Sequence, residues 1–145
     1  MSTAEPEFCS CGALRQATRH VTQFYDSALA PTGLGLNQYS ILSKLHRSGP
    51  TTIQALAQLL VMDRSTLGHL LRPLEARDLL TLRTSERDRR SRIVSLTGVG
   101  STLFAKARPL WVAAERHFES RFGADAAHNL RATLKQVTAT DLSAR

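Results

Sequence analysis

Leu67, Leu70, Leu71 and Leu74 recur at i, i+3, i+4 and i+7, a spacing that puts all four on one side of an α-helix. That helix must bury its leucines, which turns Arg64, Ser65, Gly68, His69 and Arg72 away from the core. Asp63, immediately before it, carries the side chain of an N-cap. Upstream, Thr51-Thr52-Ile53-Gln54 has the form of a capping box in which Thr51 pairs with Gln54, and it predicts a helix through Ala55, Leu56, Leu59 and Leu60. Only Val61-Met62 separates the two helices, so the chain must turn tightly between them.

Two strand-like pieces follow, Leu79 to Thr84 and Arg92 to Leu96, joined by the polar tip Ser85-Glu86-Arg87-Asp88-Arg89-Arg90-Ser91. Two short helices, a tight turn and a hairpin are the parts of a winged helix-turn-helix, which sets its second helix in the DNA major groove and its wing against backbone or minor groove. The chemistry fits that geometry. Arg64, Ser65, Thr66, His69 and Arg72 offer hydrogen-bonding groups on the outward face, and Gly68 removes bulk there at a helix cost of roughly 1 kcal/mol. Arg83, Arg87, Arg89, Arg90 and Arg92 fall within ten residues, interrupted only by Glu86 and Asp88. A tip so charged gains nothing from packing, whereas phosphates reward it through counterion release. The bland alternative is a solvated turn in which Asp88 pairs with a neighbouring arginine. Pro73, inside the reading helix, deletes one backbone bond and is expected to bend its second half.

Flanking segments complete a mainly α chain with a small β-hairpin wing. Leu14, Ala17, Val21, Phe24 and Ala28 step by 3, 4, 3 and 4 and predict a first helix over about Phe8 to Ala30. Pro31-Thr32-Gly33-Leu34-Gly35 breaks it, and Asn37 is expected to cap a short helix carrying Tyr39, Ile41, Leu42 and Leu45. Thr97 caps a long helix with Val99, Leu103, Leu110, Ala114 and Phe118 on one stripe, and a last helix from about Asp125 carries Leu130, Leu134 and Val137. Residues 1–145 are read as a single domain, with the winged helix-turn-helix at about 37–97 and end helices at about 8–30 and 98–142. The end helices are too apolar along one stripe to stay unpaired, which predicts a two-fold homodimer matching two half-sites one turn of DNA apart.

Composition narrows the partners. A formal charge of +7 and a pI near 10.4, carried almost entirely by arginine, suit a polyanion. Met1 to Glu7 has no basic start followed by an apolar core, and no apolar run approaches the roughly 20 residues of a membrane span, so a cytoplasmic protein without a membrane partner is expected. Two cysteines, Cys9 and Cys11, form no disulfide framework. The five histidines show no metal-like spacing with them, and neither a metal nor another cofactor is expected.

Met62-Asp63-Arg64-Ser65-Thr66-Leu67, Leu74-Glu75-Ala76-Arg77-Asp78-Leu79-Leu80 and Arg87-Asp88-Arg89-Arg90-Ser91-Arg92-Ile93-Val94-Ser95-Leu96-Thr97, with Gly100 following, resemble the signature of the multiple-antibiotic-resistance regulator (MarR) family. Tyr25-Asp26 and Leu34-Gly35-Leu36-Asn37-Gln38-Tyr39 resemble the family's helix junctions. The chain departs from the family at Asp78, where glycine is usual, and at Ser85-Glu86, which replaces an Asp-Gly type of tip. The resemblance implies a sequence-specific transcriptional regulator, usually a repressor, that binds a near-palindromic operator as a homodimer with interleaved end helices. It also implies release by a small molecule, often an aromatic acid, or by an oxidant acting on cysteine.

For an aromatic acid, Arg15 and Arg19 could pair with the carboxylate while Tyr39, His46 and Trp111 supply walls and a polar partner. The competing reading pairs Arg15 and Arg19 with Glu115 or Glu119 and leaves Trp111 in the core. For an oxidant, an ungapped comparison ending at Gln38-Tyr39 puts Cys11 at the reactive cysteine of the organic-hydroperoxide-sensing branch and Tyr25 at one of its supporting tyrosines. The branch's other tyrosine positions hold Arg15 and Leu36 here. Cys9 and Cys11 point nearly oppositely on a helix, so a bridge between subunits is the disulfide open to them. Two rival functions stand apart from regulation: a small thiol peroxidase using Cys11, and a structural protein coating DNA without sequence preference.

Overall fold

The computed structural model describes residues 9–144, so the readings placed on Met1 to Glu7 and the expected helix start at Phe8 lie outside the described residues. The first helix, α1, runs Ser10–Leu29 and is capped by Cys9, whose Sγ accepts the Gly12 amide at 3.3 Å. A single 3-10 turn, Ala30–Thr32, leads to α2 at Leu36–Ser48. The predicted cap at Asn37 is incorrect. Gly35 occupies that place, its amide donating to Gln38 Oε1 at 3.1 Å, while Asp26 of α1 accepts the Leu36 amide at 2.7 Å. A carboxylate brought from the preceding helix does what a local asparagine was expected to do.

Strand β1 is only Thr51–Thr52 and passes directly into α3, Ile53–Leu60. The predicted capping box fails here. Thr51 pairs with Val94 across the sheet, and the cap is Thr52, whose hydroxyl oxygen accepts the Ala55 amide at 3.0 Å. Val61 ends α3 in the left-handed conformation (φ +51) that usually belongs to glycine, a cost of roughly 1–2 kcal/mol for a side chain. Helix α4, Arg64–Ala76, starts at Asp63 as its sequence predicts. It runs unbroken through Pro73, whose missing N–H would have met the carbonyl of His69 on the exposed side.

Strands β2 (Leu80–Thr84) and β3 (Arg92–Leu96) form the hairpin, and β1 adds a third antiparallel strand in the order β1-β3-β2. Two helices complete the chain, α5 at Gly98–Phe122 and α6 at Ala124–Ala139. The start of α5 is bolted to the foot of the hairpin. Thr97 Oγ1 accepts the Gly100 amide at 2.9 Å and donates to the Asp78 carbonyl at 2.6 Å, while the Thr97 amide donates to the Leu79 carbonyl at 3.1 Å. A Cβ at Gly100 would lie 1.9 Å from the Leu79 carbonyl oxygen, so only glycine fits. Asp78 has φ +59, which explains why glycine is usual there and why aspartate, tolerant of the left-handed region, can replace it.

The core sits where α2, α3, α4, the sheet and the first half of α5 converge. Leu42, Leu56, Leu67, Leu71 and Leu74 are fully buried there, each contributing roughly 2 kcal/mol of transfer free energy. Two expected stripes hold only in part. In α5, Leu103 and Leu110 pack against this core and Ala114 is buried as expected, but Val99 stays 54% exposed and the stripe missed Gly100, Phe104 and Ala107, which are buried. In α1 the buried residues are Tyr25 and Leu29, and the expected stripe is at most half-buried. No helix among the described residues is long and apolar enough to cross a membrane.

Candidate nucleic-acid interface

With Leu67, Leu71 and Leu74 fixed inside, α4 presents Arg64, Ser65, Thr66, His69 and Arg72 to solvent along its outer side. Both carboxylate oxygens of Asp63 are engaged by Thr66: Oδ1 accepts its amide at 2.7 Å and Oδ2 its hydroxyl at 2.8 Å. These bonds hold the Asp63 carboxyl below the usual carboxylate range, so it is ionised at neutral pH. A Cβ placed on Gly68 would meet nothing within 4 Å. Packing within this chain therefore gives no reason for a glycine in mid-helix, where it costs roughly 1 kcal/mol relative to alanine.

The hairpin projects as a narrow wing. Its last paired residues are Thr84 and Arg92, and the tip is closed by the Ser85 amide on the Ser91 carbonyl and the Ser91 amide on the Asp88 carbonyl, both at 2.9 Å. Arg83, Arg87, Arg89, Arg90 and Arg92 are all exposed. The bland reading of the tip holds for one of them. Asp88 Oδ1 lies 3.7 Å from Arg90 Nε and accepts the Arg90 amide at 3.0 Å. That ion pair is solvent-exposed and worth little. Among the described residues, Arg64, Arg72, Arg87 and Arg89 have no carboxylate within ion-pair reach.

The residues singled out for a ligand are split. Tyr39, His46 and Trp111 join one aromatic ladder between α2 and α5, together with Phe104, which the sequence reading missed. Tyr39 stacks on Phe104 at 5.5 Å and on Trp111 at 5.9 Å, and His46 lies over Phe104 at 4.7 Å. Arg15 and Arg19 are exposed on α1 and, among the described residues, belong to neither the ladder nor an ion pair. The cations that reach Tyr39 are Arg108 and Arg47, whose charges partly offset the upward pull of burial on its hydroxyl. Phe104 could have been found from the sequence, since Gly100, Phe104 and Ala107 also step by 4 and 3.

Of the redox candidates, Cys9 and Cys11 are exposed at the start of α1, whereas Tyr25 is buried fourteen residues beyond Cys11, about 21 Å along the helix. The Tyr25 hydroxyl donates to Glu115 Oε2, and burial, followed by that bond and charge, raises its pKa, so it remains a neutral donor. Arg131 of α6 bridges Glu115 and Glu119 at 3.3 and 3.2 Å. The ion pairs considered for Arg15 and Arg19 are thus made by Arg131. This polar cluster floors an apolar groove of about 510 Å³ walled by Leu14, Ala17, Val21, Phe118, Leu130 and Leu134. Among the described residues, no three histidines, cysteines or carboxylates gather as a metal site would require.

Comparison with known proteins gives concordant results. Residues 34–91 match the model of the MarR family. An organic hydroperoxide resistance transcriptional regulator of Bacillus subtilis is 32% identical over 97 residues, which cover 67% of this chain and 66% of that protein. The matched stretch thus spans just under two thirds of the relative's own length. Among solved structures, the transcriptional repressor CouR bound to a 23-mer DNA duplex superposes with a TM-score of 0.82 at 27% identity, covering 95% of this chain and 98% of that one. The Mycobacterium tuberculosis regulator MOSR in complex with DNA gives 0.78 at 29% identity, covering 90% and 96%.

Proposed function

The chain belongs to the MarR family, and from that premise we propose that it is a sequence-specific DNA-binding transcriptional repressor, not an enzyme, acting as a homodimer on a near-palindromic operator. The observation that carries this reading is the exposed arginine set of the wing, in which Asp88 pairs with Arg90 and, among the described residues, Arg87 and Arg89 meet no carboxylate, beside an α4 face that packing within the chain leaves free. In this reading Arg64, Ser65, Thr66, His69 and Arg72 face base edges and nearby phosphates, with Gly68 allowing close approach. Arg87, Arg89 and Arg90 hold the flanking backbone. The apolar groove along α1, α5 and α6 is where the second subunit's end helices pack. The DNA-bound relatives with 27% and 29% identity support the assignment.

The test is affinity for an operator selected from the chain's own upstream region, measured across salt. Arg89→Ala and Arg90→Ala should weaken binding to all sequences and flatten the salt dependence by about one ion each. Arg72→Ala should instead relax preference at one position, by roughly 1–3 kcal/mol if it grips a guanine. Unchanged operator affinity in all three would show the reading surface to be misplaced.

A second reading concerns release. The Bacillus subtilis relative is named for organic hydroperoxide resistance, and Cys11 is exposed near the start of α1, which favours an oxidant signal through Cys11. The aromatic ladder of Tyr39, His46, Phe104 and Trp111 favours an aromatic acid instead. Titrating the DNA complex with hydroperoxide and with aromatic acids, in wild type and Cys11→Ser, separates them. Oxidant release that survives the serine change excludes Cys11 as the sensor.

A further inference from the structure

Thr66 stands in the first turn of α4, the end of a reading helix whose side chains reach base edges. Its hydroxyl has one hydrogen and two lone pairs. The hydrogen is committed: Asp63 Oδ2 lies 2.8 Å away, and an ionised carboxylate can only accept. Asp63 cannot swing off to release it, because its other oxygen holds the Thr66 amide at 2.7 Å and caps the helix. Thr66 is exposed, so its lone pairs stay available to an incoming partner.

We propose that Asp63 fixes the hydrogen-bonding polarity of Thr66, making its hydroxyl an acceptor that selects a base bearing an amino group in the major groove, adenine or cytosine, and rejects guanine or thymine. The proposal rests on the DNA-binding reading above and adds to it a base class for one position of each half-site. An unconstrained threonine serves either class by rotating its hydrogen. Here guanine O6 and N7 or thymine O4 would face a lone pair, and donating to them would break a charge-assisted bond within the cap.

The same geometry predicts an inversion. Asparagine at residue 63 keeps an oxygen for the Thr66 amide and so keeps the cap. Its amide nitrogen then stands where Oδ2 was and donates to Thr66, which frees the hydroxyl hydrogen toward the groove. The preferred class should change from adenine or cytosine to guanine or thymine. Removing a negative charge also raises affinity for every sequence, so the readout is the ratio between bases at one position.

The experiment is enrichment of randomised duplexes by the full chain as wild type, Thr66→Val, Thr66→Ser and Asp63→Asn. Wild type and Thr66→Ser should enrich adenine or cytosine at one half-site position, and Thr66→Val should lose that preference by about tenfold. Asp63→Asn should reverse it. Preference unchanged in Thr66→Val, or adenine and cytosine retained in Asp63→Asn, overturns the proposal while leaving the regulator reading intact. If wild type enriches no motif at all, the regulator reading itself fails and this one falls with it.

Discussion

Leu67, Leu71 and Leu74 of α4 are fully buried within one chain, whereas Leu134 and Val137 of α6 remain 37% and 38% exposed. The winged module closes its core within one chain: α2, α3, α4 and the sheet meet Leu29 of α1 and Phe104 and Ala107 of α5 around a shared set of leucines. The end helices close nothing comparable. Of α6 only Ala127 is buried, and Leu130 and Leu134 line a groove open to solvent. In the proposed homodimer, that difference would leave half of this protein finished by folding and half by association. Stability of the reading unit should therefore be a property of the monomer, and stability of the end helices a property of the dimer.

The largest effect should come from breaking the module's core. Leu71→Ala removes a fully buried side chain and should cost about 4 kcal/mol in chemical denaturation, independent of protein concentration. Gly100→Ala forces a methyl toward the Leu79 carbonyl at the joint between wing and α5, and should cost about 3 kcal/mol. A loss below 1 kcal/mol would mean the joint yields easily. Leu134→Asp tests the other half: sedimentation should show at least tenfold weaker dimerisation, about 1.4 kcal/mol, with the module's far-ultraviolet signal retained. Equal loss of fold and association would erase the contrast. The smallest effect runs in the opposite direction. Gly68→Ala should raise stability by about 0.8 kcal/mol, since the added methyl meets nothing, yet weaken operator binding if the bare backbone is what approaches DNA.

Legibility followed the range of the interaction. Asp63 and Thr97 were readable as caps because a cap joins residues three apart, and the structure finds both doing that work. The wing was readable because strand, charged tip and strand are adjacent in sequence. Asn37 and Thr51 misled for a shared reason. Each is a good local cap, but Asp26 from α1 and the pairing of Thr51 with Val94 impose different starts on α2 and α3. The aromatic ladder was half-visible: Tyr39, His46 and Trp111 were chosen by chemistry, while Phe104 hid on the second of two stripes of α5. Arg131 was missed because its partners, Glu115 and Glu119, lie on another helix.

By itself the sequence determined the reading helix, its outward face and the arginine-tipped wing, because leucine periodicity, capping chemistry and charge clustering act over a few residues and are written in order along the chain. Only the tertiary structure decided which side of α5 meets the core, that Gly100 must be glycine beneath the Leu79 carbonyl, and that Arg131 rather than Arg15 or Arg19 neutralises the acids near Tyr25. Those outcomes depend on which surfaces touch after the helices have formed. Local pattern limits such contacts but does not choose among them.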